Sequence, residues 1–417
     1  MLSTLVNAWK LPELRKKIIF TLLMFLVFRI AAHIPVPGVD SAALSKMLGA
    51  DIWGLIDTFS GGAFKNFTVV AMGIMPYINA SIIMNLLTIM VPYFERLAKE
   101  GPEGRKKMAQ YTRYGAVGLA FLQAIGMCVY LKGAFVNTNL FHMTVVVVTL
   151  TAGTAFLMWL GELITEKGIG NGISLIIFAG IVTRFPSDIK NIYQYLVGGQ
   201  TNIFVVLIFL LIAVIIVAGV VIIQEGQRRI PVQYAKRVVG RKMYGGQSTH
   251  IPIKVNQTGV IPIIFAMSIL MFPTTIASFF PNSGFATAIL NIFNQGHPVY
   301  MIVYALLIIF FTYFYTAVTF NPVEVAENLK KYGGFIPGLR PGRPTVEYLD
   351  KILSRITLAG AIFLAIIALM PQAAMAISGL PIYFGGTSLL IVVGVALDTM
   401  KQLESQMLQR HYQGFMK

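Results

Sequence analysis

The sequence predicts an all-α polytopic membrane protein, with ten transmembrane helices in two inverted five-helix halves around a central pore. Three observations predict it. The 417 residues are 56% hydrophobic and only 12% charged, about half the charged share of an ordinary soluble domain. Apolar runs near the ~20-residue spanning length recur along the chain. Two Gly-containing pieces also appear twice. Gly73-Ile74-Met75-Pro76-Tyr77-Ile78-Asn79-Ala80 is echoed by Gly259-Val260-Ile261-Pro262-Ile263-Ile264-Phe265-Ala266, and Gly172-Ile173-Ser174-Leu175-Ile176-Ile177 by Gly386-Thr387-Ser388-Leu389-Leu390-Ile391. Apolar matches are cheap in such a chain, but paired Gly, Pro and Ser at fixed offsets are not. Gly/Pro-interrupted spans recurring in both halves are the mark of an internally duplicated transport pathway.

Taken in order, residues 2–17 read as a short amphipathic, basic interfacial helix. No cleavable signal peptide is visible, because the first apolar run is long and no small-residue cleavage site follows it. The first span is expected at 18–34. The outer segment 35–66 then leaves through Pro35-Val36-Pro37-Gly38 and ends in Phe59-Ser60-Gly61-Gly62-Ala63-Phe64, an apolar, glycine-flexible stretch placed to fold back into a cavity. Spans follow at 67–92, 111–131 and 143–164. The run 171–185 is short and is accepted for its match to 386–394. It closes an N-terminal half, 1–200. The C-terminal half, 201–417, holds spans at 203–224, 256–280, 298–320, 354–376 and 384–400. Two long basic loops interrupt it, 226–255 and 321–353. Alternation about Gly240 and Gly245-Gly246 predicts a β-hairpin within 230–254. Five spans per half is an odd number, so the second half enters the bilayer upside down. The repeat interface then falls near the midplane.

Charge sets the orientation. The net charge is +16. With both termini on one side, that side holds every Lys and Arg except Lys46, Lys65, Lys132, Arg184 and Lys190 opposite, and Arg29 inside the first span. The positive-inside rule makes the rich side cytoplasmic. The lone cysteine, Cys128, lies in a span and forms no internal disulfide.

Most chemistries are excluded by what the spans lack. Glu162, Glu166, Glu225 and Asp398 lie toward cytoplasmic ends, and Arg29 is near enough to the outer interface to snorkel, so no proton relay assembles. Ser174 and Ser388 stand at helix starts, where a hydroxyl ordinarily caps backbone N–H groups rather than attacking a substrate. The five histidines fall at span ends or in loops, and no metal cluster or phosphate loop appears, so neither an enzyme nor a cofactor is expected. Ile78, Ile177, Ile264 and Ile391 remain. An isoleucine in a span ordinarily meets lipid or a neighbouring helix. Four equivalents beside Gly/Pro breaks instead point to one axis, and a ring of branched side chains is a constriction that resists ions by dewetting. Such a ring offers no specific hydrogen bonds and suits a variable solute. Asn79 and Asn256 are placed for interhelical hydrogen bonds at a reversible seam. The long basic loops carry more charge than topology requires and are expected to dock a large partner with RNA phosphates or an acidic surface.

Over essentially its whole length the chain resembles the SecY family of protein-conducting channel subunits. The resemblance rests on Phe28-Arg29-Ile30 with Ile34-Pro35-Val36-Pro37-Gly38, Phe59-Ser60-Gly61-Gly62-Ala63, Gly73-Ile74-Met75-Pro76-Tyr77-Ile78 and Gln110-Tyr111-Thr112-Arg113-Tyr114. Met158-Trp159-Leu160-Gly161-Glu162, Gly168-Ile169-Gly170-Asn171-Gly172-Ile173-Ser174, Gln247-Ser248-Thr249-His250, Pro337-Gly338-Leu339-Arg340-Pro341-Gly342 and Phe384-Gly385-Gly386-Thr387-Ser388-Leu389-Leu390-Ile391 extend it. The resemblance implies an aliphatic pore ring at Ile74, Ile78, Ile177, Ile264 and Ile391, with Ile173 and Leu390 adjacent. It implies a plug over about 53–66, with Phe59, Ser60, Gly61, Gly62, Ala63 and Phe64, and a lateral gate of the second, third, seventh and eighth spans with Asn79 and Asn256 nearby. Docking of the ribosome, through ribosomal RNA, or of the SecA motor ATPase is implied around Arg241, Lys242 and Arg340. SecE and SecG are implied as partner subunits, signal sequences and nascent polypeptides as cargo, and the bacterial plasma membrane as location.

The expected function is therefore a passive conduit for unfolded preproteins that also releases hydrophobic segments sideways into lipid. The competing reading is a secondary transporter of a small amphiphilic solute, which the lack of intramembrane carboxylates opposes. A membrane-embedded protease would need Ser174 or Ser388 as nucleophile.

Overall fold

The computed structural model describes residues 2–39, 57, 60–135, 139–199, 202–234, 237–239, 242–244, 248–278, 284–293, 297–378 and 386–415. Each of the ten expected runs carries a helix. The N-terminal half holds α1 (Leu2–Lys10), α2 (Pro12–Ala31), α3 (Met75–Met90), α4 (Pro92–Lys99), α5 (Pro102–Tyr130), α6 (Leu140–Lys167) and α7 (Gly172–Val197). The C-terminal half holds α8 (Ile203–Glu225), α9 (Ile261–Ser278), α10 (Gly284–Ile292), α11 (Pro298–Thr319), α12 (Pro322–Lys331), α13 (Arg343–Ser378) and α14 (Gly386–Phe415). Among the described residues, α5, α6, α7, α8, α11 and α13 are each long and apolar enough to cross a membrane; α3 with α4 makes a further candidate, broken by a bend of 99°.

The repeats fix where helices begin. Gly73 and Gly259 both hold left-handed φ, +59° and +62°, a conformation that costs a residue with Cβ roughly 1–2 kcal/mol. Each is followed two residues later by a helix start, Met75 and Ile261, with Pro76 and Pro262 in the first turn, where proline's missing N–H costs nothing. Gly172 and Gly386 are likewise the first residues of α7 and α14. The second and seventh spans therefore start later than hydropathy alone implies. Residues 61–74 are a chain of tight turns rather than helix, because the apolar run continues past a glycine that the helix cannot cross. The fifth span departs in the other direction: α7 continues to Val197 with Pro186 inside it.

The halves meet where α3 and α5 pack against α9, and where α7 packs against α14. The largest buried apolar cluster draws on both halves, from Phe28 and Ile78 to Ile308 and Ile391. By contrast, α8 leaves Phe204, Leu207, Leu211 and Val214 exposed, as expected of a span that faces acyl chains on most sides.

The two long loops of the C-terminal half make one small unit. β1 (Gln227–Tyr234) pairs antiparallel with β4 (Ser248–Lys254), from Gln227 opposite Lys254 to Gln233 opposite Ser248. That is the expected hairpin. Between them β2 (Arg237–Val239) pairs with β3 (Lys242–Tyr244). β5 (Gly334–Phe335), from the second loop, adds to the other edge of β1, giving the order β4-β1-β5. Ile230, Val232 and Ile253 pack there with Leu329, Ile336, Leu349 and Leu353. Alternation along β1 points Ile230 and Val232 inward, the period-2 pattern of a half-buried strand.

Candidate functional site

The five isoleucines lie on four separate segments and share one large apolar cluster. Ile74, Ile78, Ile177 and Ile391 are all buried within the cluster shared by the halves, and Ile264 packs against it. Ile74 precedes α3, Ile78 lies in its first turn, Ile177 is in α7, Ile264 in the first turn of α9 and Ile391 in α14. The late helix starts at Met75 and Ile261 place Ile78 and Ile264 at equivalent positions in the first turns of their helices. Ile173 and Leu390 belong to the same cluster.

A cavity of ≈ 430 Å³ adjoins three of them. Ile177, Ile264 and Ile391 stand in its wall beside Asn171, Gln224, Asn256 and Gln257, with Lys254 and Asp398 among its charges. Lys401 and Glu225, paired at 2.8 Å, join α14 to the end of α8 at its rim. The wall of this cavity thus combines branched aliphatic side chains with polar and charged ones.

The stretch ahead of α3 closes against this centre. Ser60 is buried, donates its hydroxyl to the Asp57 carbonyl at 3.2 Å and accepts the Phe64 N–H at 3.2 Å. Gly62 N–H donates to the Asp57 carbonyl at 3.0 Å. Ala63 belongs to the cluster of the isoleucines. Phe64 enters a second cluster with Val36, Phe67 and Leu150. Phe59 lies outside the described residues.

Some expected roles fall elsewhere. Among the described residues the bonds of Asn256 are local: its amide donates to the Gly259 carbonyl at 3.0 Å and its oxygen accepts from Thr258 at 3.4 Å, shaping the turn that launches α9. Asn79 is buried with its Oδ1 unpartnered. The seam bond that forms instead is between Asn85 of α3 and Tyr315 of α11, 3.2 Å apart. Asn85 and Tyr315 are each one of several polar side chains in their spans, and both lie outside the duplicated pieces, so no pattern singles them out. Arg29 does not simply snorkel: its Nη1 donates to the Gly61 carbonyl at 3.1 Å. The cap on α7 is Asn171, whose Oδ1 accepts from Ile173 and Ser174 N–H, rather than a serine hydroxyl. Arg340 is exposed on the turn before α13, and its carbonyl accepts from Thr345 at 2.9 Å. Lys242 starts β3, next to Arg241, which lies outside the described residues.

The chain matches the SecY family model over residues 68–400. The protein translocase subunit SecY of Halalkalibacterium halodurans is 51% identical over 430 residues, covering 100% of both chains. That of Bacillus subtilis is 49% identical over 434 residues, again 100% of both. Among solved structures, one titled as a protein-conducting channel superposes with a TM-score of 0.67 at 20% identity, covering 94% of this chain and 92% of that one. Sec61 in a canine ribosome–channel complex from the endoplasmic reticulum gives 0.63 at 19% identity, with the same coverage. At such identity the structural matches speak for the fold.

Proposed function

We infer that this chain, which belongs to the SecY family, is the protein-conducting channel that passes unfolded preproteins across the plasma membrane and releases hydrophobic segments into lipid. The observation that supports the mechanism is that Ile74, Ile78, Ile177 and Ile391 are buried in one apolar cluster with Ile264 packed against it, and that Ile177, Ile264 and Ile391 line a cavity with polar walls. An aliphatic ring holds a seal around an extended chain without preferring any one side chain. Family membership and the absence of an intramembrane carboxylate chain weigh against the solute-transporter reading.

In this reading the chain hydrolyses nothing. A motor such as SecA, or a translating ribosome, supplies the drive, docking on the unit built from 226–255 and 321–353 near Lys242 and Arg340. SecE and SecG accompany it as membrane subunits. Both termini face the cytoplasm, and the halves divide near residue 200. The segment at about 53–66, with Phe59 to Phe64, acts as the plug, and the seam of α3 and α5 against α9 and α11 is the lateral exit.

The test is polar replacement of the ring. Ile78→Asn, Ile177→Asn, Ile264→Asn and Ile391→Asn, combined in pairs, raise the resting ion leak of vesicles that hold the assembled complex. Export of precursors with weakened signal sequences rises with it. Wild-type tightness and signal selectivity in every pair would remove the ring from the mechanism.

A further inference from the structure

The segment read as the plug is fastened at two places of different chemistry. On one side the ties are backbone pairing: Val36 N–H donates to the Phe67 carbonyl and Val69 N–H to the Ile34 carbonyl, each at 2.9 Å, with Pro35 bridged to Thr68. On the other side the tie is ionic. Asp57 Oδ2 stands 3.4 Å from Arg184 Nη1 on α7, while Asp57 Oδ1 accepts the Lys65 N–H at 2.9 Å. The carboxylate therefore belongs to the turn of the plug, and the guanidinium to the wall. Between the two ties Gly61 lies flat on α7. Its φ is +67°, and a Cβ there would stand 3.0 Å from Gly180 Cα and 2.9 Å from Thr183 Oγ1.

We propose that the Asp57–Arg184 ion pair is a latch that sets how readily the plug leaves the channel, and so how strong a signal sequence must be to open it. This rests on the channel reading above. The pair has the properties a latch needs. Its side chains are only 20% (Arg184) and 13% (Asp57) exposed, so the attraction is stronger than at an open surface. The desolvation of both charges offsets much of that attraction, and both are rehydrated when the segment swings outward. The tie is thus firm at rest and separable. It borders a cavity of ≈ 220 Å³ lined also by His33, Lys65 and Asp188, through which water and salt reach it. Asp188 lies one turn beyond Arg184 on the same helix, the i,i+4 spacing at which side chains meet. Once Asp57 departs, Arg184 has a second carboxylate within reach. The backbone pairing at 34–36 and 67–69 needs no such release and serves as the hinge.

The experiment uses the full chain, assembled with its membrane subunits in vesicles, and compares Arg184→Gln, Asp57→Asn, Arg184→Lys and the exchanged double variant Asp57→Arg with Arg184→Asp. The readouts are resting ion leak and the ratio of export for weakened-signal to intact-signal precursors, each at low and high salt. Either neutral variant raises both readouts several-fold and flattens their salt dependence. Arg184→Lys and the exchanged pair return both toward wild type, which also shows that the variants fold. Neutral variants that match wild type, or an exchanged pair that behaves like the single changes, overturn the latch. Wild-type vesicles that export nothing would instead defeat the channel reading itself.

Discussion

Asn85 on α3 donates its amide to the Tyr315 hydroxyl on α11 across 3.2 Å, a hydrogen bond that crosses the seam proposed above as the lateral exit. Tyr315 is held in place by Phe265 of α9, edge-on at 5.2 Å. Bonds of this kind between spans are worth about 0.6–1.7 kcal/mol, enough to bias a seam and weak enough to break repeatedly. Tyr315→Phe keeps the ring contact and deletes only the hydroxyl. The expected result is an easier opening, by roughly three- to twenty-fold in the open-to-closed ratio, read as increased export of precursors with weakened signals. Asn85→Ala in the Tyr315→Phe background adds nothing further, because the same bond is already gone.

The turn glycines separate strain from space. Gly73→Ala and Gly259→Ala each force a Cβ into left-handed backbone, and each lowers stability by about 1–2 kcal/mol. Gly118, inside α5, has open space where a Cβ would sit. There Gly118→Ala is neutral or stabilises by up to about 1 kcal/mol. Thermal unfolding of the three purified variants in detergent gives the ordering directly.

At the start of α7, Asn171 accepts two backbone N–H groups. Asn171→Ala costs about 0.5–2 kcal/mol, as for other lost caps, and loosens the turn that aims Ile177 at the centre. Ser174→Ala leaves stability within about 0.5 kcal/mol. The same melting assay distinguishes them, and equal losses would shift the capping role back to the serine.

Leu349 is fully buried in the unit built from the two long loops, in one cluster with Ile230 and Val232. Leu349→Ala costs that unit about 2–5 kcal/mol while leaving the membrane helices packed. Binding of the motor or ribosome to vesicles falls, and resting ion leak stays at the wild-type value. A rise in leak would mean that docking unit and pore are one cooperative body.

The duplicated pieces show how far the sequence could be read. Gly73 with Gly259, and Gly172 with Gly386, are legible because each must stand at a helix start whatever packs around it. The strand alternation of 227–234 is legible for the same reason, since a period of two is local. The helix starts at Met75 and Ile261 are less so, because hydropathy continues across the glycines that end the turns. The bonds of Asn256 are not legible, because a polar side chain in an apolar run does not state its partner. Its partner proved to be its own turn.

The sequence by itself determined the membrane class, the ten helical runs and the paired glycine breaks of the two halves, because burial period, span length and glycine conformation are properties of neighbouring residues. Only the tertiary structure decided which polar groups meet. Asn85 finds Tyr315, Asp57 finds Arg184 and Arg29 finds Gly61 through contacts between segments far apart in the chain. Such pairings are set by how helices cross and turns fold back, and no local pattern encodes them.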